Sequence, residues 1–264
     1  MYNHLFSRQI NGWRISALTI ADQQQHIEQS ERLLTTIQPG EPGILYWSLA
    51  EPMGVVLGFS QKHDVLNVET VERLRLPIYH RRAGGTAVLV GANLLGLDIV
   101  LPAGHPLILS DVVESYRWLG EVWVEALHRL SIETRTVPLD EALAQQALRK
   151  QPETRVYEAL MHRACYGTLS PYEVAVGQRK VVGLDMLRRR VGTLLQAGVL
   201  LHWDAEVLVH LLGHTVAEQE LLSTGLFERA VGLDRIAGRS VTAREVIDAF
   251  EQALIFFSNN NCNS

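Results

Sequence analysis

The order of apolar and polar positions predicts short strands and helices that do not alternate regularly along the chain. Strand-like runs lie at residues 43–47, 54–59, 77–81, 97–101 and 193–203, with a hairpin around residues 177–178. Apolar residues at helical spacing predict helices at residues 21–34, 68–74, 110–130, 139–149, 216–222 and 246–256. Elements mixed in this way are typical of the α+β class. We therefore predict a mixed, mainly antiparallel sheet flanked by helices.

Two of the predicted helices carry start signals. Ser110 is a good N-cap residue and Asp111 follows it in the first turn, so we expect that helix to begin at Ser110 and to cover one side of the sheet. Thr242 and Glu245 have the spacing of a capping box ahead of the last helix.

The length and the composition of the chain end predict the domain organisation. A chain of 264 residues has room for one large domain with a small appendage. We assign residues 1–210 to a catalytic domain and residues 211–257 to a small helical lobe. Residues 258–264 are polar and contain Cys262, so we predict a disordered tail there.

Charge and cysteine usage exclude several classes of protein. A formal net charge of -5 does not favour nucleic acid, which requires a strongly basic face. The apolar runs are interrupted too often to span a bilayer. The chain has two cysteines and no disulfide framework, which indicates a reducing compartment, and we expect a cytoplasmic protein.

The predicted hairpin presents a lysine. If Gly177-Gln178 forms a two-residue turn, Ala175 pairs with Lys180 and Glu173 pairs with Val182. Lys180 would then share an apolar row with three residues of its own strand: Val182, Leu184 and Met186. A partly desolvated lysine suits catalysis or carbonyl binding, whereas a lysine that extends to water from a sheet edge would explain the same pattern.

Cys165 precedes this hairpin and is a candidate nucleophile, because a thiol close to a cation and open to solvent becomes reactive. Unpaired cysteines are also common as small buried apolar residues. The Gly84-Gly85 pair suits a ligand loop or an ordinary turn. His210 and His214 lack the further ligands that zinc requires, so we predict no metal site.

Three segments together resemble the lipoate/biotin protein ligase and octanoyltransferase superfamily. Residues 81–88 resemble its arginine, Gly-Gly and Ala-Val loop, and residues 177–183 resemble its Gly-x-Arg-Lys strand. Residues 188–200 fit the pattern that follows. The resemblance extends from Trp13 to Leu254 and implies the catalytic fold of that superfamily with a small helical lobe.

Within that superfamily, ATP-dependent lipoate ligases usually carry Asn-Asp where this chain has Ala164-Cys165. The sequence is therefore more similar to the cysteine-dependent octanoyltransferases and lipoyl amidotransferases. This resemblance implies that Cys165 is the nucleophile and that Lys180 stabilises its thiolate. The substrate-binding residues that it implies are Arg82, Gly84, Gly85, Ala87, Tyr172, Val182, Gly183, Leu184, Met186 and Arg188.

The implied reaction moves an octanoyl or lipoyl group through a Cys165 thioester onto a lysine of a lipoyl domain, without ATP or metal. The implied partners are acyl carrier protein and a lipoyl-domain protein, such as glycine cleavage H protein or a 2-oxoacid dehydrogenase E2. Residues 188–190 would help to dock one of these acidic partners.

Two alternatives remain open from the sequence. One is an ATP- and magnesium-dependent ligase for lipoate or biotin, in which Lys180 binds an acyl-adenylate and Cys165 is structural. The other is a non-catalytic acyl-binding subunit. Val90-Gly91 stands where most relatives have His-Asp, and Asp185-Met186 stands where many have Ala-Gln, and both departures are compatible with lost turnover or altered substrate geometry.

Overall fold

The computed structural model describes residues 6–261, and these residues form two β-sheets. Short runs rich in branched and aromatic residues form the strands, as expected for segments that pack on both faces. The strands are β1 Phe6–Ile10, β2 Trp13–Ser16, β3 Thr19–Ala21, β4 Gly43–Ala50, β5 Gly54–Leu57, β6 Ile78–His80, β7 Val88–Val90, β8 Leu94–Pro102, β9 Arg135–Thr136, β10 Val174–Val176, β11 Arg179–Arg189 and β12 Gly192–Leu200.

The large sheet of the described residues has nine strands in the order β1-β2-β4-β8-β12-β11-β10-β9, with β3 also paired to β4. Only the pairs β2–β4 and β3–β4 are parallel in this sheet. The small sheet has the order β6-β5-β7. The predicted α+β class with a mainly antiparallel sheet is confirmed.

Nine α-helices within the described residues surround the two sheets. They are α1 Gln23–Thr36, α2 Val68–Leu74, α3 Arg117–Arg129, α4 Leu139–Leu148, α5 Arg155–Met161, α6 Glu206–Leu212, α7 Val216–Arg229, α8 Leu233–Ala237 and α9 Ala243–Asn261. Short 3-10 turns lie at His63–Val65, Glu114–Tyr116 and Cys165–Gly167.

The start of α3 differs from the prediction. The helix begins at Arg117, and Ser110 is not its cap. Asp111 instead accepts the N–H groups of Val113 and Glu114 at 2.7 and 3.1 Å, in the segment that leads into the 3-10 turn Glu114–Tyr116. The capping box before α9 is confirmed, because Thr242 and Glu245 exchange side chain to backbone hydrogen bonds of 2.9 and 3.2 Å.

One face of the large sheet is covered by α3 and α9. The aromatic rings of Trp123 and Phe250 lie 4.3 Å apart, and Trp47 of β4 packs edge-on against Phe250 at 5.5 Å. These buried rings join the sheet to both helices in the largest apolar cluster. Each such ring contributes about 2–3 kcal/mol to stability by leaving water.

The C-terminal helices do not follow the predicted division into a domain of residues 1–210 and a separate lobe of residues 211–257. That boundary falls inside α6, and α9 packs into the same core as the large sheet. Helix α9 also continues to Asn261, beyond the predicted start of a disordered tail at residue 258. Cys262 lies outside the described residues.

The opposite face of the large sheet is covered differently. Helix α1 packs there over part of β4, β8 and β12, and the small sheet faces the remainder. Residues from both sheets and from α1 surround a cavity of about 310 Å³. This volume lies near the lower end of the range of about 300–1,000 Å³ that small-molecule sites occupy.

Candidate active site

Cys165 lies in the wall of this cavity and is partly exposed. It opens the 3-10 turn Cys165–Gly167 that follows α5. Its N–H donates to the carbonyl of Ala87 at 2.8 Å, and the N–H of Ala87 donates to Arg163 at 3.1 Å. This bridge fixes the cysteine segment alongside the residue that precedes β7. The thiol is therefore accessible from the cavity while its backbone is held.

Lys180 of β11 lines the same cavity, yet only 1% of the residue is exposed. Its ammonium lies 2.7 Å from the Glu173 carboxylate and donates to the backbone carbonyl of Cys165 at 2.8 Å. The Tyr166 ring centroid lies 5.5 Å from the same nitrogen. The structure thus brings Cys165 and Lys180 together, and the lysine contacts the main chain of the cysteine.

Lys180 does not extend to water from a sheet edge, because β11 lies between β10 and β12. The predicted pairing of Ala175 with Lys180 is confirmed, but the pairing of Glu173 with Val182 is wrong. Val182 pairs with Val174, because a β-bulge inserts one extra residue into β11.

The bulge changes the residues that share the cavity face with Lys180. Beyond it, Gly183, Leu184 and Asp185 line the cavity, whereas Val182 and Met186 pack with the core under α3 and α9. The predicted apolar row of Lys180, Val182, Leu184 and Met186 is therefore wrong. Of Val182, Leu184 and Met186, only Leu184 borders the cavity.

Glu173 is a site residue that the sequence reasoning missed. Its carboxylate accepts hydrogen bonds from the N–H groups of Ser170 at 2.7 Å and Leu184 at 3.3 Å, besides the ion pair with Lys180. Burial raises the pKa of Glu173, while Lys180 and the two backbone donors act in the opposite direction. The position of Glu173 directly before the hairpin could have indicated a site residue. The bulge changes the strand register, however, so the sequence did not reveal Lys180 as its partner.

Tyr166 joins the cysteine turn to the large sheet. The buried side chain donates from its hydroxyl to the carbonyl of Gly198 in β12 at 2.7 Å. Burial, followed by the nearby Cys165 and Glu173 charges, raises the pKa of Tyr166, so this hydroxyl stays protonated. Its ring forms part of the cavity wall beside Lys180.

The glycine loop contributes Arg81 to the cavity in place of the predicted Arg82. Arg81 donates to the carbonyls of Gly84 at 2.9 Å and Thr86 at 3.1 Å, and its Nε lies 3.3 Å from Asp185. Arg82 is turned outward, with 63% of its side chain exposed, and pairs with Glu31. Gly85 has φ +79°, a conformation that glycine adopts readily. Gly85 borders the cavity, and Gly84 does not.

Asp185 faces Arg81 across the cavity wall. Burial raises the pKa of Asp185, and Arg81 and the N–H of Met186 act against that change. Asp185 belongs to the second departure from the superfamily pattern, and this departure therefore places a carboxylate in the cavity wall.

The remaining predicted substrate-binding residues do not border the cavity. Ala87 is buried within the bridge to the cysteine segment. Tyr172 forms hydrogen bonds with Glu114 and Arg117, at 2.5 and 3.1 Å. The guanidinium of Arg188 donates to Ser115 and to two backbone carbonyls of the segment before α3.

Away from Cys165, the cavity wall includes a polar cluster. Asp98 of β8 is buried, accepts a hydrogen bond from Ser30 of α1, and accepts another from Gln196 at 2.9 Å. Burial raises the pKa of Asp98, and these hydrogen bonds act against the rise. His26 lies in the same wall. The cavity therefore combines apolar walls with charged and polar groups.

His162, at the end of α5, also lines the cavity. Its Nδ1 is buried and has no hydrogen-bond partner among the described residues. Burial, then the charges of Arg149 and Lys180, lower the pKa of His162, so the ring is neutral near pH 7. A lone histidine without a motif gave no signal in the sequence.

Within residues 6–261, no group of three or more His, Cys, Asp or Glu side chains could hold a metal ion. In the same range, none of the helices has the length and apolar character needed to cross a bilayer.

Several known proteins have sequences related to that of this chain. A model of the lipoyl protein ligase A/B catalytic domain matches residues 22–255. Octanoyltransferase LipM of Exiguobacterium sibiricum is 32% identical over 255 residues, covering 93% of this chain and 88% of that protein. Octanoyltransferase LipM of Staphylococcus aureus is 25% identical and covers 91% and 84%.

Solved structures agree in fold. The bipartite lipoate protein ligase of Thermoplasma acidophilum, studied with its E2 lipoyl domain, superposes with a TM-score of 0.71 at 17% identity, over 92% of this chain and 82% of that one. Lipoate-protein ligase A bound with ATP gives a TM-score of 0.66 at 17% identity, over 91% and 83%.

Proposed function

Because the chain belongs to the lipoyl protein ligase A/B catalytic domain family, we propose that it transfers an octanoyl group in protein lipoylation, through a thioester on Cys165. The octanoyltransferase relatives align along most of their length and favour transfer over ATP-dependent ligation. One observation carries the residue assignment: an accessible thiol and a buried ammonium line one cavity, and the ammonium is hydrogen-bonded to the backbone carbonyl of the cysteine.

In the first half-reaction, the Cys165 sulfur attacks the thioester carbonyl of the octanoyl donor. A new C–S bond forms, the bond to the donor sulfur breaks, and the donor leaves as a thiol with the proton that Cys165 gives up. In the second half-reaction, a lysine amine of the acceptor attacks this acyl-enzyme. An amide forms and the Cys165 thiol is restored.

Lys180 acts in this proposal by fixing a positive charge beside the cysteine backbone. The charge is shared with Glu173 at 2.7 Å, so its field at the sulfur is weaker than that of an unpaired ammonium. The N–H of Cys165 is bonded to Ala87 and is not free to receive the oxyanion. The glycine loop, where Gly85 borders the cavity, supplies the donors instead.

For partners, we propose acyl carrier protein as donor and a lipoyl domain as acceptor, such as that of glycine cleavage H protein or a 2-oxoacid dehydrogenase E2. One structural neighbour was studied with its E2 lipoyl domain. Arg189, the last residue of β11, and Arg190, which follows it, are exposed and suit an acidic partner. A catalytic thiol works best in a reducing compartment, so we propose a cytoplasmic location. Because the octanoyl group arrives as a thioester, we propose no metal or nucleotide requirement.

The test is incubation of the protein with octanoyl acyl carrier protein in the absence of ATP, followed by intact-mass measurement. We expect one octanoyl adduct that hydroxylamine removes and that Cys165→Ser does not form. An octanoyl-adenylate formed only with ATP and magnesium would support the ligase instead. Binding of octanoate without any adduct under either condition would support a non-catalytic subunit.

A further inference from the structure

A row of three glycines crosses the floor of the cavity. Gly183 of β11 pairs with Gly198 of β12, Gly198 pairs with Gly96 of β8, and Gly96 pairs with Ser48 of β4. All four residues border the cavity. Directly paired residues of neighbouring strands face the same side of a sheet. The three glycines therefore leave a groove that runs across the strands, and we call it the glycine groove.

Larger side chains stand on both sides of the glycine groove. Two residues along the strands in one direction lie Asp98, Gln196 and Asp185, which pair across the same three strands. Asp98 and Gln196 are hydrogen-bonded to each other at 2.9 Å. Two residues along in the other direction lie Leu94 and its partner Leu200. The groove is therefore one residue row wide, which suits a single unbranched chain.

The small sheet adds apolar side chains to the same cavity. Val56 of β5 and Val88 and Val90 of β7 border it, and they belong to one apolar cluster with Leu200. Val90 stands at the first departure from the superfamily pattern, so this departure places an apolar side chain in the cavity wall. A hydrocarbon chain in the groove would leave water for surroundings of this kind, which favours its binding.

One end of the glycine groove lies beside the buried ion pair. A Cβ atom placed on Gly183 would lie 3.6 Å from Oε1 of Glu173 and 3.5 Å from the hydroxyl of Tyr166. The same carboxylate oxygen accepts a hydrogen bond from Lys180 at 2.9 Å, and Lys180 donates to the carbonyl of Cys165 at 2.8 Å. Gly183 therefore marks the reactive end of the groove.

The length of the glycine groove matches an acyl chain of medium length. Gly96 lies two strands from Gly183, which is about 10 Å at the usual strand spacing of about 4.8 Å. An extended chain advances about 1.2 Å per bond, because a residue has three backbone bonds and spans at most about 3.6 Å. About eight bonds therefore reach from Gly183 to Gly96, close to the length of an octanoyl chain.

We propose that the acyl chain lies in the glycine groove, with its carbonyl carbon beside Gly183 and its methyl end over Gly96. Gly96 and Ser48 then determine the longest chain that the protein accepts. A Cβ atom placed on Gly96 would lie 2.5 Å from Oγ of Ser48, so the two residues share this far end. The inference rests on the proposed function and specifies its substrate class, an unbranched saturated acyl group of about eight carbons.

The experiment measures chain-length selectivity. Acyl carrier protein loaded with butyryl, hexanoyl, octanoyl or decanoyl groups acylates Cys165 in single turnovers, which are followed by intact mass. In Gly96→Ala we expect the octanoyl rate to fall at least about tenfold while the butyryl rate stays within about twofold of the wild type, because the added methyl group meets only the longer chain. Gly183→Ala should slow all chains to a similar extent, because its methyl group lies beside the reactive end.

Gly91→Ala is the matched control. It adds the same methyl group at a glycine that does not border the cavity, and the nearest atoms would be those of Met53 at 3.5 Å, an ordinary contact distance. We expect wild-type rates with every chain length in this variant.

A second variant guards against a folding defect, because the methyl group of G96A must displace the Ser48 hydroxyl. Ser48→Val occupies the same end of the groove from β4 with a residue that strands favour, and it should show the same selective loss of octanoyl transfer. The melting temperature of each variant is measured alongside.

Unchanged selectivity in G96A or S48V, or an equal loss of the butyryl and octanoyl rates in a variant that melts like the wild type, would overturn the groove assignment and leave the proposed function intact. Absence of any Cys165 adduct on the wild-type protein would overturn the function instead. Calorimetric titration with octanoate then decides the assignment: affinity at least about tenfold lower in G96A would support it, and unchanged affinity would overturn it.

Discussion

Two ion pairs hold the turn that carries Cys165, one fully buried and one partly buried, and they differ in what else they face. Lys180 pairs with Glu173 and donates to the carbonyl of Cys165, at the start of the turn. Arg229 of α7 pairs with Glu158 of α5 at 2.6 Å and donates to the carbonyl of Gly167, at the end of the turn, at 2.8 Å. Both are cations shared between a carboxylate and the backbone.

The difference is that Lys180 and Glu173 line the cavity, whereas neither member of the Arg229 pair does. Holding the turn requires only a buried cation on a suitable element. In the proposed transfer, a cation that also borders the cavity would act on the bound acyl group. Variants of the two pairs therefore separate the contribution of Lys180 to holding the turn from its contribution to the reaction rate.

The largest effect is expected for Lys180→Met. The substitution leaves the Glu173 carboxylate buried without its counter-charge, which should lower the free energy of unfolding by about 3–5 kcal/mol. Loss of the cation beside Cys165 should also slow octanoyl transfer at least about 100-fold. Chemical denaturation and single-turnover kinetics on the folded protein measure the two effects separately.

The double variant Lys180→Met with Glu173→Gln is the matched control. Glutamine keeps an acceptor for the N–H groups of Ser170 and Leu184 but carries no charge. We expect much of the lost stability to return while the transfer rate stays low. Recovery of the rate together with stability would reduce Lys180 to a structural residue.

Arg229→Met should give an intermediate effect. It leaves Glu158 without its partner and frees the carbonyl of Gly167, so the free energy of unfolding should fall by about 3 kcal/mol. Because Arg229 does not border the cavity, the transfer rate of the folded variant should fall less than about tenfold, within the effect of a small displacement of the turn. A loss as large as that of Lys180→Met would remove the distinction between the two pairs.

The smallest effect concerns Asp98, a buried carboxyl of the cavity wall that has hydrogen bonds to Ser30 and Gln196 rather than an ion pair. Burial raises its folded pKa above the unfolded value of about 3.9. Its contribution to stability is therefore full below that value and is lost as the pH rises through the folded pKa.

Asp98→Asn removes this titration. The melting temperature of the variant minus that of the wild type should increase as the pH rises from 4 to 8. Scanning calorimetry at matched ionic strength measures this difference. A difference that is the same at every pH would show that Asp98 titrates alike in the folded and unfolded chain, and so is not penalised by the lack of a cation.

Local signals predicted a large part of the fold. Helix α2 was predicted with the bounds that it has, Val68–Leu74. The hairpin turn at Gly177 is confirmed with φ +59°, which glycine permits. The superfamily resemblance and the α+β class are confirmed as well. These features depend on periodicity or on turn residues, which a sequence displays directly.

The errors arose where one residue decides the direction of a side chain. The bulge in β11 adds a single position within Val181-Val182, where two equal apolar residues conceal a shift of the alternation. Arg81 and Arg82 are adjacent in a loop without period, so only the backbone path selects the one that faces the cavity. Such choices depend on tertiary packing, and so do the Glu173 and His162 environments.

The bridge between Ala87 and Ala164 has a mechanical consequence. Through it the Cys165 segment is tied to the chain that leads into the small sheet, whereas Lys180 belongs to the large one. The 2.8 Å hydrogen bond from Lys180 to the carbonyl of Cys165 therefore joins this segment to a strand of the large sheet. A ligand too bulky for the space between the two sheets would lengthen this hydrogen bond as it separates them. The fit of the acyl chain and the position of the thiol are therefore mechanically coupled.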